Sequence, residues 1–362
     1  MTGPASLIRS RNQTSLVVAV LLVAMLMAWA NTPLLAQQTQ EDPEDLADMT
    51  LDELMDLDVI FVNVLGTHIH PAGEWMVGYN FMFMKMQGNR DGTNRLTAAD
   101  VLQDFPVTPT EMNMAMHMFE VMYSPRNELT LMAMFPYLDL SMDHLTRSGV
   151  QFTTATQGIG DISLSGLYTV YGEVEQGGHR LLVIPGLSFP TGSIDETGDT
   201  PAGHQQLPYP MQLGSGTFDL LAGFAYLGES ENWAWLTEAK GTIRLGKNSR
   251  DYSLGNQLNI NAWLSRRLTQ MTSLSLQIEG FIWGNIDGAD PELNPAVVPT
   301  ADPNRRGGKR VDLAFTLNLY TSEGSFEGNR LAFEAGLPVY QSLDGPQLEN
   351  DWRLAAVWNW TF

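Results

Sequence analysis

The most distinctive chemistry in this sequence belongs to its thioethers. Eleven of its nineteen methionines fall in three short stretches: Met76, Met82, Met84 and Met86, then Met112, Met114, Met116, Met118 and Met122, then Met132 and Met134. Most stand two residues apart, and in an extended chain every second side chain points to the same side. Thioether sulfur is a soft ligand that selects Cu(I)-like ions. Met82, Met84, Met114, Met116, Met132 and Met134 on adjacent strands would then form a wall of weak soft-ion sites, with His68 and His70 just upstream to take up or release an ion. Methionine is also an adaptable apolar filler, so a wall that merely packs, or along which apolar solutes slide, is the competing reading and the one the residue type favours. In the second stretch the methionines share parity with Glu120, while Asn113 and His117 share parity with Phe119 and Val121. That strand is ambiguous, and one β-bulge would reverse part of it.

Glu238, Lys240, Arg244, Glu279, Arg330, Glu334 and Arg353 fall on the polar parity of later stretches. They are candidate pore-lining residues, and their mixed signs suit balanced interior ion pairs as well as a transverse field. Acids such as Asp195, Glu196, Asp199, Asp287, Asp290, Glu292 and Asp302 lie in connecting segments without EF-hand spacing, which favours solvated loops over divalent-ion sites. A wall-mounted hydrolase would need a serine near His117, and the outer parity of the neighbouring strands supplies none. The sequence has no cysteine, which removes disulfides, thiolate metal sites and cysteine nucleophiles. A formal charge of -21 argues against a nucleic-acid partner. Nothing in the sequence points to a catalytic residue, a cofactor or an energy source.

What would hold these side chains in place is a set of alternating strands. In the last, Trp352, Leu354, Ala356, Trp358, Trp360 and Phe362 share one face, and Asp351, Arg353, Asn359 and Thr361 the other. One side suits lipid and the other water. About twelve such segments follow one another from residue 73 to the end, and their connections mostly alternate long (88–110, 140–157, 191–215, 287–309) and short. This rhythm, with tryptophans such as Trp75, Trp233 and Trp235 near strand ends, predicts an all-β, transmembrane, antiparallel up-and-down barrel of about twelve strands in outer-membrane lipid. An adhesin or purely structural barrel would show the same alternation.

Upstream, residues 1–36 read as a secretory signal, with Arg9 and Arg11 before an apolar run. Residues 37–72 form an acidic periplasmic segment in which Thr50 and Glu53 have capping-box spacing and predict a short helix. It suits either a solvated tether or a dock for a periplasmic partner.

Three motifs carry a resemblance over most of the mature chain. They are Gly158-Ile159-Gly160-Asp161-Ile162-Ser163-Leu164-Ser165-Gly166-Leu167-Tyr168, Gly186-Leu187-Ser188-Phe189-Pro190-Thr191-Gly192 and Gly214-Ser215-Gly216-Thr217-Phe218-Asp219, together with the terminal Trp360-Thr361-Phe362. In these the chain resembles the MetA-pathway phenol-degradation family of outer-membrane proteins. The resemblance implies an outer-membrane channel or transporter of small molecules, apolar or aromatic ones first, and brings no catalytic residues. The sequence departs from the usual family pattern in its methionine content.

Overall fold

The computed structural model describes residues 67–172, 178–321 and 327–362. The expected signal, and the acidic segment with its helix up to residue 66, lie outside the described residues. From Trp75 onward the alternating stretches form β1 (Trp75–Gly92), β2 (Val107–Arg126), β3 (Leu129–Thr146), β4 (Gln151–Ile159), β5 (Ile162–Tyr171) and β6 (His179–Phe189). The ring continues through β7 (Phe218–Ser230), β8 (Trp233–Leu245), β9 (Gln257–Thr269), β10 (Thr272–Trp283), β11 (Gly308–Thr321) and β12 (Asn329–Thr361). Every neighbouring pair in the wall is antiparallel, and β12 returns to β1, so the sheet closes. Closure follows from the solvent: in hydrocarbon each unpaired backbone group costs several kcal/mol, and a ring leaves no edge.

The stave count agrees with the twelve expected, by an indirect route. β4 and β5 are the two halves of one stave, since β3 pairs with β5 over Leu129–Met134 and with β4 over Tyr137–Leu145. The interruption falls at Gly160 and Asp161. β12, conversely, supplies two staves. Its first arm pairs with β11 up to Leu343, its second pairs with β1 from Leu343 to Thr361, and Gln341 and Asn350 tie the arms near the bend.

Two expected long connections are corrected. Residues 140–157 are mostly strand, with a tight turn between Thr146 and Gln151, and residues 88–110 contain the end of β1, a short added strand (Asn94–Leu96) and helix α1 (Ala98–Asp104). The reason lies in the outward residues there. Asp139, Ser141 and Asp143 oppose buried Leu140, Met142 and His144, so the wall rises beyond the lipid band and its outer face turns polar. Alternation between lipid and water is lost exposure by exposure at that height, although the strand continues.

Outward faces carry the lipid-contacting apolar residues, including Phe119, Leu131, Phe224, Phe315, Leu337 and Leu354. Aromatic rings gather at the periplasmic rim. Trp75 stacks on Tyr123 at 4.4 Å, Trp360 lies 4.5 Å from Phe362, and Arg266 sits over Trp233 at 5.3 Å. These rings have one wet edge, which is what an interfacial girdle requires. Trp263 differs: it is buried inside the barrel.

Candidate functional site

The second strand resolves without a bulge in its methionine run, because its register shifts fall at Pro109/Glu111 and Tyr123/Arg126. All its methionines therefore take the inward parity with Glu120, and His117 faces outward, where Tyr79 meets its Nδ1 at 2.7 Å. Register then stacks the thioethers across strands. Met76 lies opposite Met122, which lies opposite Met132; higher up come Met82 opposite Met116, Met84 opposite Met114, and Met86 opposite Met112 opposite Met142. From Met76 to Met86 this ladder climbs roughly 34 Å along the strand at about 3.4 Å per residue.

Beside the ladder lies a cavity of about 410 Å³. Met82, Met84, Met118, Met122, Met132 and Met134 line one side of it, and Glu238, Lys240, Glu279, Arg310 and Arg353 line the other. Among the expected methionines, Met114 instead packs with a cluster of Met112, Leu140 and Met142 above the cavity, and Met116 has inward parity without reaching the cavity wall. Among the expected charged residues, Arg244, Glu334 and Arg330 also stay out of that wall. Arg244 pairs with buried Asp219, and Arg330 donates to Asn318 at 2.7 Å.

The charged side is internally paired. Arg353 contacts Glu279, meets Glu334 at 3.1 Å and Asp312 at 3.6 Å, while Arg310 meets Asp312 at 3.0 Å. Lys240 meets Glu238 at 3.0 Å and keeps over a third of its side chain accessible. Such pairing neutralises charge at short range, so the charged wall offers dipoles and hydrogen bonds more than a net field.

Both ends of the cavity are covered. At the floor, residues 67–70 run inside the barrel: Thr67 Oγ1 donates to Glu238 Oε2 at 2.5 Å and the His70 amide donates to Thr130 Oγ1 at 3.2 Å. Ile69 packs with Met76, Met122, Leu182, Leu236 and Trp263. His70 turns to Glu74 at 3.3 Å, whereas His68 Nε2 lies 3.2 Å from Met76 Sδ and lines the cavity. The two rings meet edge to face at 5.0 Å, but their nitrogens turn to different partners. At the outer end, Leu207, Met211 and Leu213 from the segment after β6 close on Met112, Leu140 and Met142. Sequence reasoning missed this cap, since its apolar residues are scattered through a loop without period.

The three motifs meet where that cap is anchored. Asp161 accepts the Gly192 amide at 2.9 Å and the Ser215 amide at 2.7 Å, and Thr191 Oγ1 accepts the Ile162 amide at 2.9 Å while donating to the Gly160 carbonyl at 2.8 Å. A β-carbon on Gly214 would fall within 2.4 Å of the Gly192 carbonyl oxygen, so only glycine allows the approach. A family model described as "Putative MetA-pathway of phenol degradation" matches residues 110–303, which contain all three motifs. The chain belongs to that family. The loop residues of its motifs make a structural knot that fixes the outer cap of this barrel.

One solved structure shares the fold of this MetA-pathway barrel. The COG4313 outer membrane channel from Pseudomonas putida F1 is similar over 81% of this chain and 97% of its own, with 14% identity and a TM-score of 0.57. A FadL homologue of Pseudomonas aeruginosa aligns more distantly, over 83% and 94% of the two chains at 9% identity and a TM-score of 0.36. No curated protein sequence matches the chain. The closed ring, its lipid-facing belt and the family place this protein in the bacterial outer membrane.

Proposed function

We propose that this barrel passes small apolar or aromatic molecules across the outer membrane, down their gradient and without chemical change. One observation carries the reading: the cavity inside the ring joins a wall of thioethers to a wall of paired charges. An apolar solute gains by leaving water for the thioether side, at about 25 cal/mol per Å² of apolar surface covered. Methionine's flexible, polarizable chain adapts to many shapes and binds none tightly, which suits transit. A hydroxyl or other single polar group on the solute finds donors and acceptors on the facing wall.

The floor at residues 67–70 and the outer cap make this a compartment covered at both ends, unlike a wide aqueous pore. Uptake into proteoliposomes tests the reading. A phenol-sized aromatic should enter faster through the barrel than through bare lipid, while a hexose of similar volume should gain little. Equal acceleration of both solutes would mark a water-filled pore and overturn the proposal.

A further inference from the structure

We propose that the channel floor holds one soft monovalent cation, Cu(I), between His68 Nε2 and Met76 Sδ, with Met122 and Met132 as the further thioethers. The geometry of the first pair carries the inference. A d10 ion takes nitrogen at about 2.0 Å and sulfur at about 2.3 Å, so two such bonds meeting near the tetrahedral angle hold nitrogen and sulfur roughly 3.5 Å apart. In this structure the two atoms are 3.2 Å apart, at hydrogen-bond distance with Nε2 as the donor, so a bound ion replaces that bond with a shift of a few tenths of an ångström. Met122 stands directly across from Met76 in the register, and Met132 across from Met122, all inward. Directly opposed residues have β-carbons about 5 Å apart, within reach of flexible thioether chains.

The chemistry of the set decides which ion. One neutral imidazole and uncharged sulfurs bring no negative charge to a buried place, which disfavours a divalent ion and favours a soft monovalent one. Among the described residues no three His, Asp or Glu side chains gather into a harder site. Binding takes the imidazole with its proton on Nδ1, leaving the Nε2 lone pair for the metal. No bond of the protein breaks.

Position adds an argument that packing alone would not supply. His68 lines both the main cavity above and a pocket of about 30 Å³ beneath it, which Trp263 and Ala234 also line. The proposed ligand pair therefore stands at the partition between the cavity and the periplasmic rim. Above it, Met118 and Met134 reach into the cavity at a higher level. The site is the bottom station of a thioether ladder.

The test uses the full mature barrel, refolded in detergent, with Cu(I) kept reduced by ascorbate and competed against a chromogenic Cu(I) chelator. One equivalent should bind, with both nitrogen and sulfur in the copper X-ray absorption spectrum. Met76→Leu, which nearly conserves volume, and His68→Phe should each weaken binding at least tenfold, while Met84→Leu should leave it unchanged. Aromatic-solute uptake by Met76→Leu should persist, so failure of the copper site and failure of the channel reading are distinguishable. No bound equivalent in the folded wild-type barrel, or equal affinity in wild type and Met76→Leu, would overturn the proposal. A sulfur-only spectrum would overturn the role of His68.

Discussion

Arg353 shows how much a single interior side chain can organise. Its guanidinium faces the carboxylates of Glu279, Glu334 and Asp312 from three different staves, β10, β11 and the first arm of β12. Removing it leaves three buried acids with Arg310 as their nearby counter-charge. Replacing Arg353 with methionine should therefore destabilise the barrel by on the order of 3–5 kcal/mol, the usual cost of stranding buried charge. Urea midpoints of the refolded protein check this, and adding Glu279→Gln and Glu334→Gln to the same variant should restore part of the loss. An unchanged midpoint in the single variant would mean that lumen water screens these acids. The parity of Arg353 was legible in the sequence, as were its opposite faces of Trp352 and Leu354. Its partners were not, because pairing across staves depends on register, and register is set by turns and by the whole ring.

At the scale of elements, the last strand makes the clearest test. Phe362 and Trp75 exchange both backbone hydrogen bonds at 2.9 Å, so the terminal residue completes the seam that closes the ring. Its ring lies outward beside Trp360. Deleting Phe362 removes that bonded pair and a girdle aromatic together, and should lower the yield of heat-modifiable barrel in the outer membrane. Unchanged yield would count against the seam as an assembly signal. Strand existence and inward parity were readable wherever one face met lipid, as in Trp75–Phe83 or Leu331–Val339. Strand length was not. Where β1, β2 and β3 rise past the lipid, Lys85 pairs outside with Glu111 at 3.1 Å and the polar-out pattern no longer marks a membrane strand. The cap was hidden for another reason: Leu207, Met211 and Leu213 are apolar because of what they cover, and that partner surface lies over sixty residues away in the chain.

Across the whole molecule, the two walls of the lumen come from different parts of the chain. The first three strands supply the thioethers, and β8 to β12 supply the paired charges; ring closure brings them face to face. Of the motifs that identify the family, the first sends Ser163, Ser165 and Leu167 into this space. The loop residues of all three motifs hold the cap, through Asp161 and its two amide partners. On the proposed function, solute crosses through the cavity between floor and cap. Ser163 lines that cavity from β5, opposite Met134 in the register. The most direct measurement compares aromatic-solute uptake by proteoliposomes holding equal amounts of folded wild type and Ser163→Trp, whose added ring fills the cavity from its wall. Uptake should fall at least fivefold toward the bare-lipid rate, and undiminished uptake by the folded variant would rule out passage through this cavity.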